Sequence, residues 1–259
     1  MSPLDCHSYF GQPGLFVSQG YSEVHISVAF TWDIEKANWL KEQWEMIAPV
    51  KIGGPAIDGE GDGFIPGMYL RNGITITSRG CPSRCPWCFV NSPLKELDPV
   101  SKGNVIQDNN ILACSRSHLD KVFQMLSRQH SITFSGGLEA KRIKYNIVEC
   151  LRSLRIKELW LSYDHDGAIH DLLKAAYLLR KYFKRWKLRC YVLIGFKNDT
   201  IEKAEKRLVK AWEFGFLPFA MLYRNKQGDY PEPEKEWRKF QRTWTRPAAI
   251  ATKIKELLK

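Results

Sequence analysis

Apolar and polar residues alternate along this chain in short runs whose period changes several times. Residues 23–28, Glu-Val-His-Ile-Ser-Val, repeat every second position and predict a strand. Asp33 stands as a helix N-cap before residues 34–46, where Leu40 and Trp44 fall at helical spacing. Residues 50–55, Val-Lys-Ile-Gly-Gly-Pro, predict a second strand ending in a tight turn, which completes a βαβ-like unit. Residues 56–72 are rich in glycine and acid and read as a loop. Asp58, Glu60 and Asp62 there lack the central glycine and distal glutamate of an EF-hand, so a solvated loop is expected rather than a calcium site.

From residue 73 onward strand and helix patterns alternate. Strands are predicted at 73–78, 104–107, 132–135, 158–163, 189–195 and 218–223. Helices are predicted at 118–127, 142–154, 169–183 and 201–214. Such alternation builds a parallel α/β fold. In the tail, Trp237, Phe240 and Trp244 recur at helix-compatible spacing with Arg238, Arg242 and Arg246 among them. That pattern suits a helix packing its tryptophans on the fold, and it also suits a basic, aromatic grip on nucleic acid. Packing is the expectation.

Composition narrows the class. A chain of 259 residues with 44% hydrophobic content can bury the core of one large α/β domain. No apolar run approaches the length of a membrane span. The N-terminus has no basic stretch followed by an apolar one, so no signal peptide is expected. The seven cysteines are an odd number with three of them clustered, which points to a reducing, cytoplasmic setting rather than a disulfide scaffold. The net charge of +11 favours acidic partners such as nucleic acid or phosphorylated metabolites.

The clustered cysteines carry the chemistry. Residues 77–90, TSRGCPSRCPWCFV, place Cys81, Cys85 and Cys88 in a CxxxCxxC spacing. A structural zinc site wants four closed ligands, and the next cysteine is Cys114. Three thiolates suit a [4Fe–4S] cluster with one open iron better.

This spacing, with Trp87 just before the third cysteine, resembles the cluster loop of the radical S-adenosylmethionine (SAM) superfamily. The resemblance covers roughly residues 70–225 and implies a partial (β/α)6 barrel. A short βαβ-like N-terminal extension (1–69, a shortened Rossmann-like remnant without cobalamin) would precede it, and a helical tail (226–259) would follow. It implies two cofactors, a [4Fe–4S] cluster on Cys81, Cys85 and Cys88 and SAM on its open iron, together with an external one-electron reductant. The activity implied is reductive cleavage of SAM to a 5′-deoxyadenosyl radical that takes hydrogen from a substrate.

In such barrels the chemistry sits at the C-terminal strand ends. After the second strand, Asp108, Asn109 and Asn110 stand where relatives hold the SAM amino group, although the usual Gly-Gly-Glu is absent. After the third, Gly136 and Gly137 allow close backbone approach and Glu139 is expected to face the cavity. After the fourth, Asp164, with Ser162 second, is expected against the ribose or methionine moiety. Ile194, Gly195 and Tyr223 would line the adenine pocket. Arg224 would meet the SAM carboxylate or an anionic substrate. Cys6, Cys114, Cys150 and Cys190 read as structural thiols. The competing reading is a non-catalytic Fe–S or zinc protein that binds nucleic acid, for which a barrel-type strand order has no use.

Overall fold

The computed structural model describes residues 2–14, 17, 20–57 and 67–257, so Asp58, Glu60 and Asp62 lie outside the described residues. The chain divides into two compact units. One is Met1–Asn72 with Asn225–Asp229, and the other is Gly73–Arg224 with Tyr230–Lys259.

The first unit holds β1 (Val24–Ser27), α1 (Ile34–Glu45) and β2 (Val50–Gly53). The strands pair in parallel, Val24 opposite Val50, so the predicted βαβ arrangement is present. Asp33 occupies the N-cap of α1, yet its carboxylate makes no capping hydrogen bond. Trp44 anchors the helix. It is buried, and its indole N–H donates to the Gly11 carbonyl at 2.9 Å.

The second unit runs β3 (Ile74–Thr75), β4 (Ser78–Arg79), β5 (Lys95–Glu96), β6 (Val105–Ile106), α2 (Arg116–Ser127), β7 (Ile132–Leu138), α3 (Tyr145–Arg152), β8 (Ile156–Tyr163), α4 (Ile169–Leu179), β9 (Leu188–Ile194), α5 (Ile201–Glu213), β10 (Leu217–Leu222), α6 (Glu234–Thr243) and α7 (Pro247–Leu257). Six strands form one sheet in the order β10-β9-β8-β7-β6-β3, and every pairing in it is parallel. Consecutive order with helical crossovers from β6 to β10 is the arrangement of an α/β barrel segment.

The first crossover departs from the (β/α)6 expectation. No helix lies between β3 and β6 among the described residues, and the two-stranded antiparallel β4–β5 pair stands there instead. The predicted strand 73–78 is correspondingly split. Ile74 and Thr75 join the parallel sheet, whereas Ser78 turns away to pair with Glu96. Asp108 drives that break by drawing in Thr77 and Ser78, as described below.

Alternation explains which face is covered. On β8, Leu159, Leu161 and Tyr163 are buried, and on β9 Cys190, Val192 and Ile194 are. They join one core with Val122 and Leu126 of α2, Val148 and Leu151 of α3, Leu172 and Leu179 of α4, and Leu208 of α5. Each such aliphatic side chain contributes on the order of 2 kcal/mol by leaving water. The intervening positions face the other way. Trp160, Tyr191 and Phe219, on three neighbouring strands, form a half-buried tier there. Trp160 stacks on Tyr191 with centroids 4.4 Å apart, and Phe219 meets Tyr191 edge-on at 5.9 Å.

The tail packs as expected. Trp237 and Trp244 are buried, and Ala220 on β10 donates its N–H to the Trp244 carbonyl at 3.1 Å. No helix among the described residues is long and apolar enough to cross a membrane.

Candidate metal and cofactor site

The cysteine loop is closed at its base by backbone. Cys81 N–H donates to the Ser92 carbonyl at 3.1 Å, and Gly80 N–H donates to Asn109 Oδ1 at 3.0 Å. Gly80 has φ of +77°, and a Cβ there would lie 1.9 Å from the Pro93 carbonyl oxygen, so only glycine lets the two ends of the loop meet. Within the loop, Cys88 N–H donates to the Cys85 carbonyl at 3.0 Å.

Two sulfurs already accept hydrogen bonds. Ser83 N–H and the Asn110 side-chain amide reach Cys81 Sγ at 3.4 and 3.3 Å, and Val90 N–H reaches Cys88 Sγ at 3.4 Å. Such donors stabilise thiolates and tune the metal centres they hold. Burial first, then the nearby charges of Cys88, Asp164, Cys81 and Glu139, push the Cys85 thiol above its ordinary range. All three cysteines and two carboxylates therefore act on one small volume. Among the described residues no three His, Cys, Asp or Glu side chains are drawn together tightly enough for a single metal ion.

The predicted residues divide by what they touch. Asp108 holds the incoming strand. Its Oδ1 accepts from Thr77 N–H at 2.7 Å, and its Oδ2 accepts from the Thr77 and Ser78 hydroxyls at 2.6 and 2.7 Å. It is buried and fixes the strand that enters the cysteine loop. Asn109 is likewise engaged by Gly80. Asn110 differs from both. Its amide donates to Cys81 Sγ and to Glu139 Oε2, at 3.3 and 2.9 Å, while its buried Oδ1 has no partner. A buried acceptor without a donor is costly, so Asn110 Oδ1 is an acceptor suited to an N–H group beside Cys81.

Glu139 stitches the site together. It accepts from Ser83 Oγ at 3.2 Å and from Asn110, ion-pairs with Lys141 at 2.7 Å, and contacts Arg142. Burial opposes its charge, but the hydrogen bonds from Asn110, Lys141 and Arg142 prevail and hold it below the ordinary carboxylate range. The two glycines before it differ. A Cβ on Gly136 would sit 2.1 Å from the Asp108 carbonyl oxygen, so this glycine admits a neighbouring strand rather than a ligand. Gly137 has φ of +92° and open space where its Cβ would be.

Trp87 leads from the cysteines to the strand ends. Its indole and the Ser162 hydroxyl both act on the Asp164 carboxyl, pulling it down against burial. Its ring lies 5.4 Å from that of His165 and 5.9 Å from Phe196, and Phe196 in turn meets Tyr223 edge-on at 4.9 Å. The run Asp164-His165-Asp166 thus serves three partners, because Asp166 turns to Arg207 at 3.7 Å. Ile194 ties the end of β9 to β10. Its side chain is buried in the helix-side core, and its carbonyl accepts Tyr223 N–H at 2.9 Å. Gly195 packs under Pro231 and Leu222, and its N–H is held by Asp199 Oδ2 at 2.8 Å. The Arg224 guanidinium lies 5.0 Å over the Tyr230 ring.

Sequence reasoning missed Ser83, the Asp199–Arg207 ion pair (2.6 Å) that braces the end of β9, and the tier of Trp160, Tyr191 and Phe219. The tier had a signal, since each aromatic occupies the alternate position of its predicted strand.

Burial pushes the Asp164 carboxyl up to about 6, against hydrogen bonds from Trp87 and Ser162 that pull it down. The folded protein therefore binds this proton more tightly than the unfolded chain. The associated stability is complete below the ordinary value of 3.8 and is lost as pH rises through about 6. Asp164→Asn is expected to make the metal-free protein more stable at neutral pH, by at most about 3 kcal/mol. The gap from wild type should close as the pH falls to about 4. Urea unfolding of both proteins across that range is the check, and a gap that does not move with pH would overturn it.

No protein-family model matches the chain, and no curated protein matches it. Among solved structures it is similar to the radical S-adenosylmethionine methyltransferase TsrM from Kitasatospora setae, determined with cobalamin and a [4Fe-4S] cluster bound. The identity is 11% and the TM-score 0.47, over 60% of this chain and 37% of that one. The chain thus matches little more than a third of that protein's length, and its site is read from its own residues.

Proposed function

We propose that this chain is a radical SAM enzyme. The observation that carries the reading is the loop of Cys81, Cys85 and Cys88, held at the C-terminal edge of a consecutive parallel sheet. The donors Ser83, Asn110 and Val90 already face its sulfurs. Cys81, Cys85 and Cys88 would hold a [4Fe–4S] cluster. When bound, that cluster supplies the electron that splits SAM into methionine and a 5′-deoxyadenosyl radical.

The chain's own residues bind, orient and exclude water. Asn110 Oδ1 accepts the SAM ammonium. Glu139 fixes Asn110 and Ser83 through 2.9 and 3.2 Å hydrogen bonds, so the acceptor is preorganised. Trp87, Phe196 and Tyr223 form an apolar wall along three strand ends, on which the adenosyl group rests. Asp164 keeps Trp87 in place. Arg224 offers a fixed cation to the SAM carboxylate or to an anionic substrate. A net charge of +11 favours a nucleic-acid base or a phosphorylated metabolite as substrate.

The test is anaerobic iron–sulfur reconstitution followed by dithionite and SAM, with chromatography for 5′-deoxyadenosine. Its formation, dependent on all three cysteines, supports the enzyme. Iron bound at full stoichiometry with no 5′-deoxyadenosine, even when candidate substrates are present, would overturn it in favour of a metal-containing binding protein. Asn110→Ala removes that acceptor. It is expected to weaken SAM binding about tenfold, the effect of one lost charge-assisted hydrogen bond. Unchanged affinity in equilibrium dialysis would remove Asn110 from the SAM site.

A further inference from the structure

Residues 180–187 join α4 to β9 at the end of the sheet opposite the cysteine loop. β9 runs from Leu188 towards Phe196, whose ring contacts Trp87, so one seven-residue strand, about 20 Å, separates the two. The segment reads Arg-Lys-Tyr-Phe-Lys-Arg-Trp-Lys, with five cations and no acid. Phe183 alone turns into the core. Tyr182 and Trp186 point outward, 41% and 62% exposed, and Tyr177 on the last turn of α4 is 67% exposed. A solvated basic face has no need of bare aromatics, and aromatics serving a core are not left in water.

Cations and rings are interleaved in space as well as in sequence. Lys181 Nζ lies 4.2 Å over Tyr177, the Arg152 guanidinium 4.6 Å over Tyr182, and Lys184 Nζ 5.0 Å over Trp186. Behind them the Arg185 guanidinium sits 3.9 Å over Trp212. Burial and the neighbouring Arg180 both push Arg185 below the ordinary guanidinium range. Among the described residues, none of Arg180, Lys181, Lys184, Arg185 and Lys187 pairs with a carboxylate, in contrast to Arg152 and Arg189 nearby. Five crowded cations without a paired carboxylate of their own favour an anion from outside.

We propose that this surface binds single-stranded nucleic acid. Lys181, Lys184 and the arginines take the phosphates, and Tyr177, Tyr182 and Trp186 take unstacked bases. A duplex would satisfy the cations and leave the rings idle, because its bases are already stacked. An acidic protein surface would do the same. The surface holds a strand a full sheet-length from the cysteines, so it anchors rather than presents the reacting base. The proposal stands whether or not the site cleaves SAM, because binding is read on the protein before any cluster is installed.

The experiment is fluorescence anisotropy of the full chain with a labelled single-stranded oligonucleotide of mixed sequence and with the matching duplex. Trp186→Ala and Tyr177→Ala are each expected to weaken single-strand binding about tenfold, the loss of one base stack. The double variant Lys181→Ala, Lys184→Ala is expected to lower the salt dependence of binding by about 1.4 counterions. Thermal unfolding should be unchanged in all of them, since these side chains are exposed. Absence of binding at low salt, equal affinity for duplex and single strand, or aromatic variants that bind as the wild type would each overturn the proposal.

Discussion

Replacing Cys85 by alanine is expected to leave the protein without iron after anaerobic reconstitution, and without 5′-deoxyadenosine when SAM and dithionite are added. The expectation follows from how few groups could stand in. The ordinary ligand of a four-iron cluster is a thiolate, and the buried thiols Cys114 and Cys190 are held neutral. Burial pushes Cys114 up to about 11 and Cys190 well above its ordinary value. Glu139 and Asn110, the polar groups next to Cys81, are already committed to each other and to Ser83. Two thiolates then face a cluster that needs three, and it is lost rather than shifted. Cys114→Ser is the control and should retain iron and product. Iron at wild-type stoichiometry in the Cys85→Ala protein, measured by colorimetric assay, would show that the loop does not bind the metal. Zinc in place of iron in the wild type, with all three cysteines required, would favour the binding-protein reading instead.

Much of this was legible in the sequence, and the parts that were not share a cause. The long strands declared themselves because their buried and half-buried positions alternate, as in Leu159, Trp160, Leu161, Ser162 and Tyr163. The cysteine loop was legible because its three cysteines lie within eight residues. The hold of Asp108 on Thr77 and Ser78 was not legible because those partners lie some thirty residues away, and an acid after a strand looks the same whether it holds a ligand or a neighbouring strand. The close approach at Gly136 was hidden for the same reason, since the Asp108 backbone it admits cannot be seen from its own segment. The aromatic wall joins Trp87, Phe196 and Tyr223 across more than a hundred positions, and only the sheet order brings them together. The basic run 180–187 was not singled out in the sequence, because whether Tyr182, Phe183 and Trp186 face core or water depends on the path of the α4–β9 connection.

Asp108→Ala is expected to destabilise the fold by about 3 kcal/mol or more, while Asp108→Asn costs about 1 kcal/mol or less. The alanine leaves three donors without a partner in a region where Thr77 and Ser78 are wholly buried. Two of these are hydroxyls that can rotate, but they have little to rotate towards. His118 Nε2 lies 3.3 Å from Thr77 Oγ1 and is the nearest alternative. Asparagine behaves differently because its carbonyl still accepts Thr77 N–H and its amide can donate to hydroxyls that turn to accept. It also removes the penalty of a carboxylate that burial, against the bonds from Thr77 and Ser78, pushes above its ordinary range. The pair of variants separates a strand-fixing residue from a cofactor ligand. If Asp108 fixes the strand, Asp108→Asn should bind SAM as the wild type does once reconstituted, and urea unfolding should rank alanine far below asparagine. If Asp108 holds the SAM ammonium, the ranking reverses. Asparagine would then lose about tenfold or more in SAM affinity with little change in unfolding. The first outcome ties the stability of the fold to the geometry of the site. Asp108 sets where Ser78 turns, Ser78 sets where Gly80 and Cys81 begin, and a strand that frays at Thr77 cannot keep three sulfurs in place for one cluster.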